Sequence, residues 1–75
     1  GVKADNKRVK DNVGARIREV RTEKGMSRSA LAEKAKLHYD TILKVENGKH
    51  GVDLGTLCDI ATALGIYVPD LLRPS

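Results

Sequence analysis

The stretch SRSALAEKAKLHYDTILKVENG, residues 27–48, decides the fold of this chain. It contains two short helical segments, an alanine-rich one near residues 28–35 and a second near 39–47, with only three residues between them. Ser27 has the chemistry of an N-cap for the first segment, and Gly48 ends the second. Two short helices joined so closely predict a helix-turn-helix.

The second segment has two chemically different faces. Leu37, Ile42 and Val45 fall where the buried side of a helix would place them. The opposite side carries a phenol, a carboxylate, an aliphatic group and an ammonium, on Tyr39, Asp40, Leu43 and Lys44. A helix with one face packed on its domain and the other face polar is suited to the DNA major groove, which admits one α-helix.

The flanking sequence predicts further helices near residues 12–24 and 54–64, and a final turn from about Pro69. Asp53 is a strong N-cap for the helix near 54–64, and Gly65 ends it. The predicted apolar stripes are Val13, Ile17 and Val20 in the earlier helix, and Leu54, Leu57, Ala61 and Leu64 in the later one. We therefore predict an all-α fold, a compact bundle of about five short helices that contains the helix-turn-helix.

Residues 1–11 differ in composition from the rest. They are polar and charged and show no apolar periodicity, so they predict a flexible basic N-terminal arm ahead of a domain at 12–73. The basic residues of this arm are Lys3, Lys7, Arg8 and Lys10. Such an arm could add contacts to phosphates or reach a minor groove.

The net charge of +4 makes a polyanionic partner plausible. Residues 1–10 carry a net charge of +3 and residues 49–75 a net charge of −1, so the positive charge lies in the first part of the chain. Ordinary solubility would explain the total equally well.

Composition argues against several other classes of protein. The single cysteine, Cys58, excludes an internal disulfide and a cysteine-based zinc finger, and its place between Leu57 and Ala61 predicts a buried apolar residue. No apolar run is long enough to span a membrane. Neither a glycine-rich phosphate loop nor a paired nucleophile and base is visible, so we expect no cofactor, no metal and no enzymatic activity.

Four segments carry a resemblance to a known family: RIREVRTEKGMS, LAEKA, TILKVENGK and TLCDIATALGI. Together with the sequence between them, residues 13–72 resemble the phage repressor and Cro type of helix-turn-helix domain, also called Xre-type or lambda-repressor-like. The resemblance implies a regulator or repressor that binds double-stranded DNA sequence-specifically, with the helix near 39–47 in the major groove. It also implies a homodimer on DNA, in the cytoplasm and at the nucleoid of a prokaryotic or phage system.

The resemblance also implies roles for individual residues. Those expected to contact bases are Tyr39, Asp40, Leu43 and Lys44. Those expected to contact the DNA backbone are Ser27, Arg28, His38, Asn47 and Lys49. Arg21 and Glu46 match an ion pair that joins the first helix to the recognition helix in similar domains.

Two residues depart from the family pattern. Lys36 stands where the turn usually carries glycine, and a positive φ there would cost about 1 kcal/mol. His38 stands where a serine or threonine cap is usual, so the start of the recognition helix is expected to be weakly capped.

Several of these residues also fit a role that does not involve DNA. Asp40 and Lys44 could form an ordinary surface pair, and Leu43 could pack on the fourth helix or on a partner subunit. Dimerisation could use the last helix, through Leu71 and Leu72, or a further domain. The same fold could also serve as a protein-interaction module, such as an antitoxin or an adaptor, because fold does not determine function.

Overall fold

Five helices are present in the part of the chain that the structure describes. The computed structural model describes the backbone of residues 2–48 and 51–72, and the side chains of residues 12–48 and 51–72. The helices are α1 (Val2–Glu23), α2 (Arg28–Ala35), α3 (Tyr39–Glu46), α4 (Leu54–Leu64) and α5 (Val68–Leu72). No strand occurs in these residues, and the prediction of an all-α bundle is confirmed.

Local signals account for the ends of α2 and α4. The Ser27 hydroxyl accepts a hydrogen bond from the backbone N–H of Ala30 at 3.0 Å, and the Asp53 carboxylate accepts one from the N–H of Thr56 at 3.1 Å. Gly65 ends α4 in the left-handed conformation, at a φ of 73°. Both helices have the bounds that these caps predict.

Helix α1 is longer than predicted. The sequence places its start near Asn12, whereas the structure continues the helix back to Val2. Between Val2 and Gly14 the chain contains no proline or glycine, and its lysine, arginine and alanine residues favour a helix. The helix thus starts earlier than the sequence indicates, while the flexible arm at 1–11, the domain boundary and the role of this segment remain predictions.

The core is aliphatic and draws on every helix. Burial of one large aliphatic side chain contributes about 1.5–3 kcal/mol, so a small number of such residues dominates the stability of a domain this size. The largest fully buried side chains are Ile17, Leu31, Ile42, Ile60, Leu64 and Leu71.

Two residues of α4 do not lie where the sequence places them. Leu54 is 68% exposed, because it begins the helix and lies beyond the end of the core, and Ile60 is buried instead. Cys58 is exposed rather than buried, since it lies next to the buried stripe and not on it. The predicted apolar face of α4 is therefore shifted toward its C-terminal half.

The last helix, α5, buries one of its two leucines in the core. Leu71 is fully buried, in α5, which packs against α1 and α4. It is therefore unavailable to a partner subunit in the folded chain, and of the two leucines predicted to mediate dimerisation only Leu72 is exposed.

Gly14 brings α1 against the end of α3. A Cβ atom added to Gly14 would lie 2.5 Å from the carbonyl oxygen of Val45 and 2.6 Å from that of Glu46. Real Cβ atoms do not approach backbone oxygens so closely, so only glycine permits this helix contact. The position of α3 relative to α1 is thus set by contact of one backbone with another.

We expect Gly14→Ala to lower the free energy of unfolding by about 1–3 kcal/mol, the usual cost of overpacking. The added methyl group would push α3 away from α1, and thermal unfolding followed by circular dichroism would measure the loss. Gly55→Ala is the matched control. Its Cβ would meet only the Asp53 carboxylate, at 3.9 Å, so that variant should be at least as stable as the wild type. Equal stability of the Gly14→Ala protein and the wild type would contradict the close contact.

Candidate nucleic-acid interface

Helix α3 presents different groups to the core and to solvent. Its inner side buries Ile42 and Val45, as the sequence predicts. Its opposite side, which we call the outer face of α3, consists of Tyr39, Asp40, Leu43 and Lys44. The outer face projects from a helix that is held from behind by α1 and α2.

The two charges on the outer face are not engaged with each other. Asp40 and Lys44 are both exposed, and no ion pair joins them in the described part of the chain. The alternative of an ordinary surface pair is therefore not realised. A carboxylate acceptor and an ammonium donor remain available to a ligand from one helix.

The two uncharged members of the outer face differ in exposure. The side chain of Tyr39 is 44% exposed, which leaves its phenol accessible. Leu43 is half-buried rather than exposed, and it is not among the partly buried side chains that pack against the core. Part of Leu43 thus remains available for an apolar contact.

The turn before α3 contains both departures noted in the sequence. Lys36 adopts the left-handed conformation, with φ 59° and ψ 42°. Its backbone N–H donates to the carbonyls of Ala32 and Glu33, as a glycine would in this position. The turn therefore keeps the geometry typical of glycine while it displays a cation.

His38 begins α3 without a side-chain cap. Its imidazole makes no capping hydrogen bond, and the N–H of Thr41 donates instead to the His38 carbonyl, at 3.0 Å. The start of α3 is thus fixed by the backbone and by packing. The exposed imidazole remains free of an internal role.

The residues expected to contact the DNA backbone lie at both ends of the helix pair. Ser27 is exposed at the start of α2, His38 at the start of α3, and Asn47 directly after α3. Lys49 lies outside the described residues. Ser27 uses its oxygen to cap α2, so its hydroxyl proton remains free to donate.

Glu46 is buried at the end of α3 and pairs with Arg21 of α1. The Glu46 side chain has no exposed surface, and that of Arg21 is 9% exposed. The guanidinium forms a two-bond fork with the carboxylate, in which Nε contacts Oε2 at 2.7 Å and Nη2 contacts Oε1 at 3.2 Å. Its remaining nitrogen, Nη1, donates to the Met26 carbonyl at 2.8 Å. This geometry joins α1, the loop after it and α3.

Two further arginines contact the same carboxylate. Nε of Arg28, at the start of α2, lies 3.0 Å from Oε1 of Glu46, and Nε of Arg18, on α1, lies 3.5 Å from that oxygen. Neither contact was predicted. Arg18 lies three residues before Arg21 and so shares its face of α1, which was an available signal, whereas nothing in the sequence indicated that Arg28 would reach Glu46. We refer to Glu46, Arg18, Arg21 and Arg28 as the Glu46 cluster.

The cluster determines the ionisation of its members. Burial by itself raises the pKa of the Glu46 carboxyl, but hydrogen bonds from Arg21 and Arg28 outweigh it and bring the pKa below its ordinary value of 4.5. Glu46 also raises the pKa of the Arg28 guanidinium, and the Tyr39 hydroxyl adds to that effect. Glu46 and Arg28 are therefore both charged at neutral pH.

Metal clusters and membrane spans are both absent from the described part of the chain. Within residues 12–48 and 51–72, no three His, Cys, Asp or Glu side chains are grouped so that they could hold a metal ion. No helix there combines the length and the apolar composition needed to cross a bilayer.

A sequence model of the helix-turn-helix family matches residues 17–71, which include α2, the turn and α3. The chain belongs to the Xre-type helix-turn-helix family. It is 39% identical over 56 residues to an immunity repressor protein of Bacillus phage phi105. That match covers 75% of this chain and 39% of the repressor, so the chain spans about two-fifths of that relative.

Solved structures of two regulatory proteins have the same fold. The restriction-modification controller protein C.AhdI from Aeromonas hydrophila superposes with a TM-score of 0.80 at 37% identity, over 91% of this chain and 97% of that one. The clp gene regulator ClgR from Corynebacterium glutamicum superposes with a TM-score of 0.80 at 30% identity, over 85% of this chain and 68% of that one. The arrangement of α2 and α3 is thus shared with transcriptional regulators.

We expect Glu46→Gln to lower the free energy of unfolding by about 2–4 kcal/mol at pH 7, because it leaves the buried Arg21 without a counter-charge. Urea unfolding would measure the difference from the wild type. The folded-state pKa of Glu46 is depressed, so its contribution is complete above its unfolded pKa, near 4.5, and is lost as the pH falls through the folded value.

The difference in free energy of unfolding between the wild type and Glu46→Gln should therefore be largest at pH 6–7 and decrease below about pH 4. Glutamine does not titrate, so the pH dependence that remains in the variant comes from the other acidic groups, and the variant serves as the control for them. A difference that stays constant down to pH 3 would contradict the assignment of the depressed pKa to Glu46.

Proposed function

We propose that this chain binds double-stranded DNA sequence-specifically and regulates transcription, with α3 as the recognition helix in the major groove. The observation that supports the proposal best is the contrast between the two sides of α3. The inner side is held by the core, by the Gly14 contact and by the Glu46 cluster, while the outer face carries unpaired donor and acceptor groups. A rigid helix with free polar groups is what direct readout of bases requires.

Each residue of the outer face has a chemically suitable target. The Lys44 ammonium can donate to O6 or N7 of guanine, and the Asp40 carboxylate can accept from N4 of cytosine. Asp40 would also repel phosphates, which disfavours wrong registers. Leu43 can contact a thymine methyl group, and the Tyr39 hydroxyl can donate to a phosphate.

The residues at the helix ends would position the domain without reading sequence. We assign this role to Ser27, Arg28, His38, Asn47 and Lys49. As a repressor of the phage type, the protein would act in the cytoplasm of a prokaryotic or phage-infected cell, at the nucleoid. It would bind as a homodimer, with half-sites about 34–36 Å apart.

In vitro selection from a random duplex library tests binding, specificity and symmetry together. We expect enrichment of a palindromic site and an affinity for it that falls steeply with salt, with a log–log slope of about −0.9 for each phosphate contacted. No enrichment, or an affinity that does not change with salt, would contradict DNA binding. That result would favour a protein-interaction module, such as an antitoxin or adaptor.

Lys44→Ala should weaken binding to the selected site by about 1–3 kcal/mol and relax the preference at one base position, because a base-reading donor is lost. Repeating the selection with the variant would identify that position. Lys34→Ala is the matched control, since it removes the same charge from an exposed position on α2 that borders α4 near Asp59 and Thr62. If Lys44→Ala weakened binding equally for all sequences, Lys44 would be a phosphate contact and not a base contact.

A further inference from the structure

The three arginines of the Glu46 cluster use their guanidinium groups differently. Arg21 engages all three nitrogens within the protein and is almost fully buried. Arg18 and Arg28 each donate to Glu46 through Nε alone. Arg21 is therefore committed to the fold, whereas the Nη ends of the other two guanidiniums are not used by the carboxylate.

The cluster carries more positive than negative charge. Three guanidiniums surround one carboxylate, and that carboxylate is buried. The excess charge lies on the two arginines that reach the surface, since the side chain of Arg28 is 30% exposed and that of Arg18 is 50% exposed. A cluster of this kind attracts an anion on its solvent side.

The geometry places these two cations side by side. Both Nε atoms contact the same carboxylate oxygen, so they are no farther apart than the sum of the 3.0 Å and 3.5 Å contacts. A guanidinium that is held at Nε still presents its Nη1 and Nη2 edge, and this edge can bind two phosphate oxygens at once. The Glu46 carboxylate thus holds two guanidiniums from two different helices, and each keeps its Nη1 and Nη2 edge free for a phosphate.

The cluster also lies beside the outer face of α3. Arg28 follows Ser27 at the start of α2, where backbone N–H groups favour an anion. Its guanidinium contacts Glu46 at the end of α3, and Glu46 lies three residues after Leu43, so Arg28 reaches the helix next to Leu43 of the outer face. A phosphate that flanks the groove occupied by α3 would meet this edge of the domain.

We infer that Arg18 and Arg28 together bind one phosphate of the DNA backbone, and that Glu46 is the positioning residue that holds both guanidiniums toward it. The inference rests on the proposed function. It adds Arg18 of α1 to the DNA-binding residues and gives the buried carboxylate a role in binding besides its role in the fold. It also distinguishes Arg18 from Arg21, which lies one helical turn away and has no free donor edge.

The test compares Arg18→Ala, Arg18→Lys and the control Lys34→Ala on the selected duplex over a range of salt concentrations. Arg18→Ala should weaken binding about 10-fold for all sequences alike and make the salt slope shallower by about 0.9. Arg18→Lys should keep the salt slope, because the positive charge remains. It should lose part of the affinity, because lysine lacks the two-nitrogen edge of the guanidinium. Lys34→Ala should change neither quantity. Circular dichroism should show the fold and melting temperature of Arg18→Ala close to those of the wild type, since its ion pair is half-exposed.

A double-mutant cycle tests the role of Glu46, at a temperature where circular dichroism shows every variant folded. In the Glu46→Gln background the Arg18 guanidinium is no longer held, so Arg18→Ala should weaken binding less than two-fold. A purely structural Glu46 would leave the 10-fold effect intact and would overturn the positioning role.

The remaining outcomes separate the two proposals. If the wild type binds the duplex and Arg18→Ala binds it with the same affinity and slope, the phosphate contact is wrong and the proposed function stands. A loss confined to some sequences would make Arg18 a base contact and would also overturn the inference. If the wild type binds no duplex, the proposed function fails, and the inference fails with it.

Discussion

The ion pairs of the Glu46 carboxylate are the interactions on which the packing of α3 against α1 and α2 depends. The carboxylate lies at the last residue of α3, has no exposed surface, and accepts hydrogen bonds from arginines of α1 and α2. A buried charge is costly unless its partners are well placed, so the carboxylate stabilises the domain only when the three helices are correctly assembled. Helix α3 is thereby coupled to both α1 and α2 through one side chain. A hydrophobic contact, which has no preferred direction, would not define the orientation of α3 in this way.

The charge of the chain is divided between the two halves of the bundle. Residues 51–72, which contain α4 and α5, include no lysine or arginine, and their only charged residues are Asp53, Asp59 and Asp70. Two of these aspartates serve local structure, since Asp53 caps α4 and Asp70 accepts from the Tyr67 N–H. The lysines and arginines of the described residues therefore all lie in α1, α2, α3 and the segments that join these helices.

Much of the fold could be predicted from the sequence because it depends on short-range signals. Caps such as Ser27 and Asp53 act within one turn of their helix, and the left-handed turn at Lys36 follows from its position after α2. The start of α1 could not be predicted, because no breaker marks it and a polar segment without periodicity resembles a flexible one. The exposure of Leu54 and Cys58 depends on where the core ends, which is a property of the whole bundle.

The candidate site likewise has features that the sequence predicts and features that it does not. The outer face of α3 follows from helical periodicity, and the Arg21 and Glu46 contact was expected from the family resemblance. The contacts of Arg18 and Arg28 with Glu46 depend on the crossing of three helices. The spacing of Arg18 and Arg21 places both on one face of α1, but nothing in the sequence indicates that Arg28 reaches the same carboxylate. The close approach at Gly14 is equally hidden, since a glycine in a helix shows only that a side chain is missing and not what occupies its place.

The contact at Gly14 also bears on how such a domain could change its target. The distance between α1 and α3 is set by backbone atoms, and none of the four residues of the outer face takes part in it. Substitutions at those four positions would therefore leave the position of α3 relative to α1 unchanged. The contacts that hold α3 are separate from the side chains of its outer face, so the chemistry of that face could change by exchange of a few surface side chains on an unaltered scaffold.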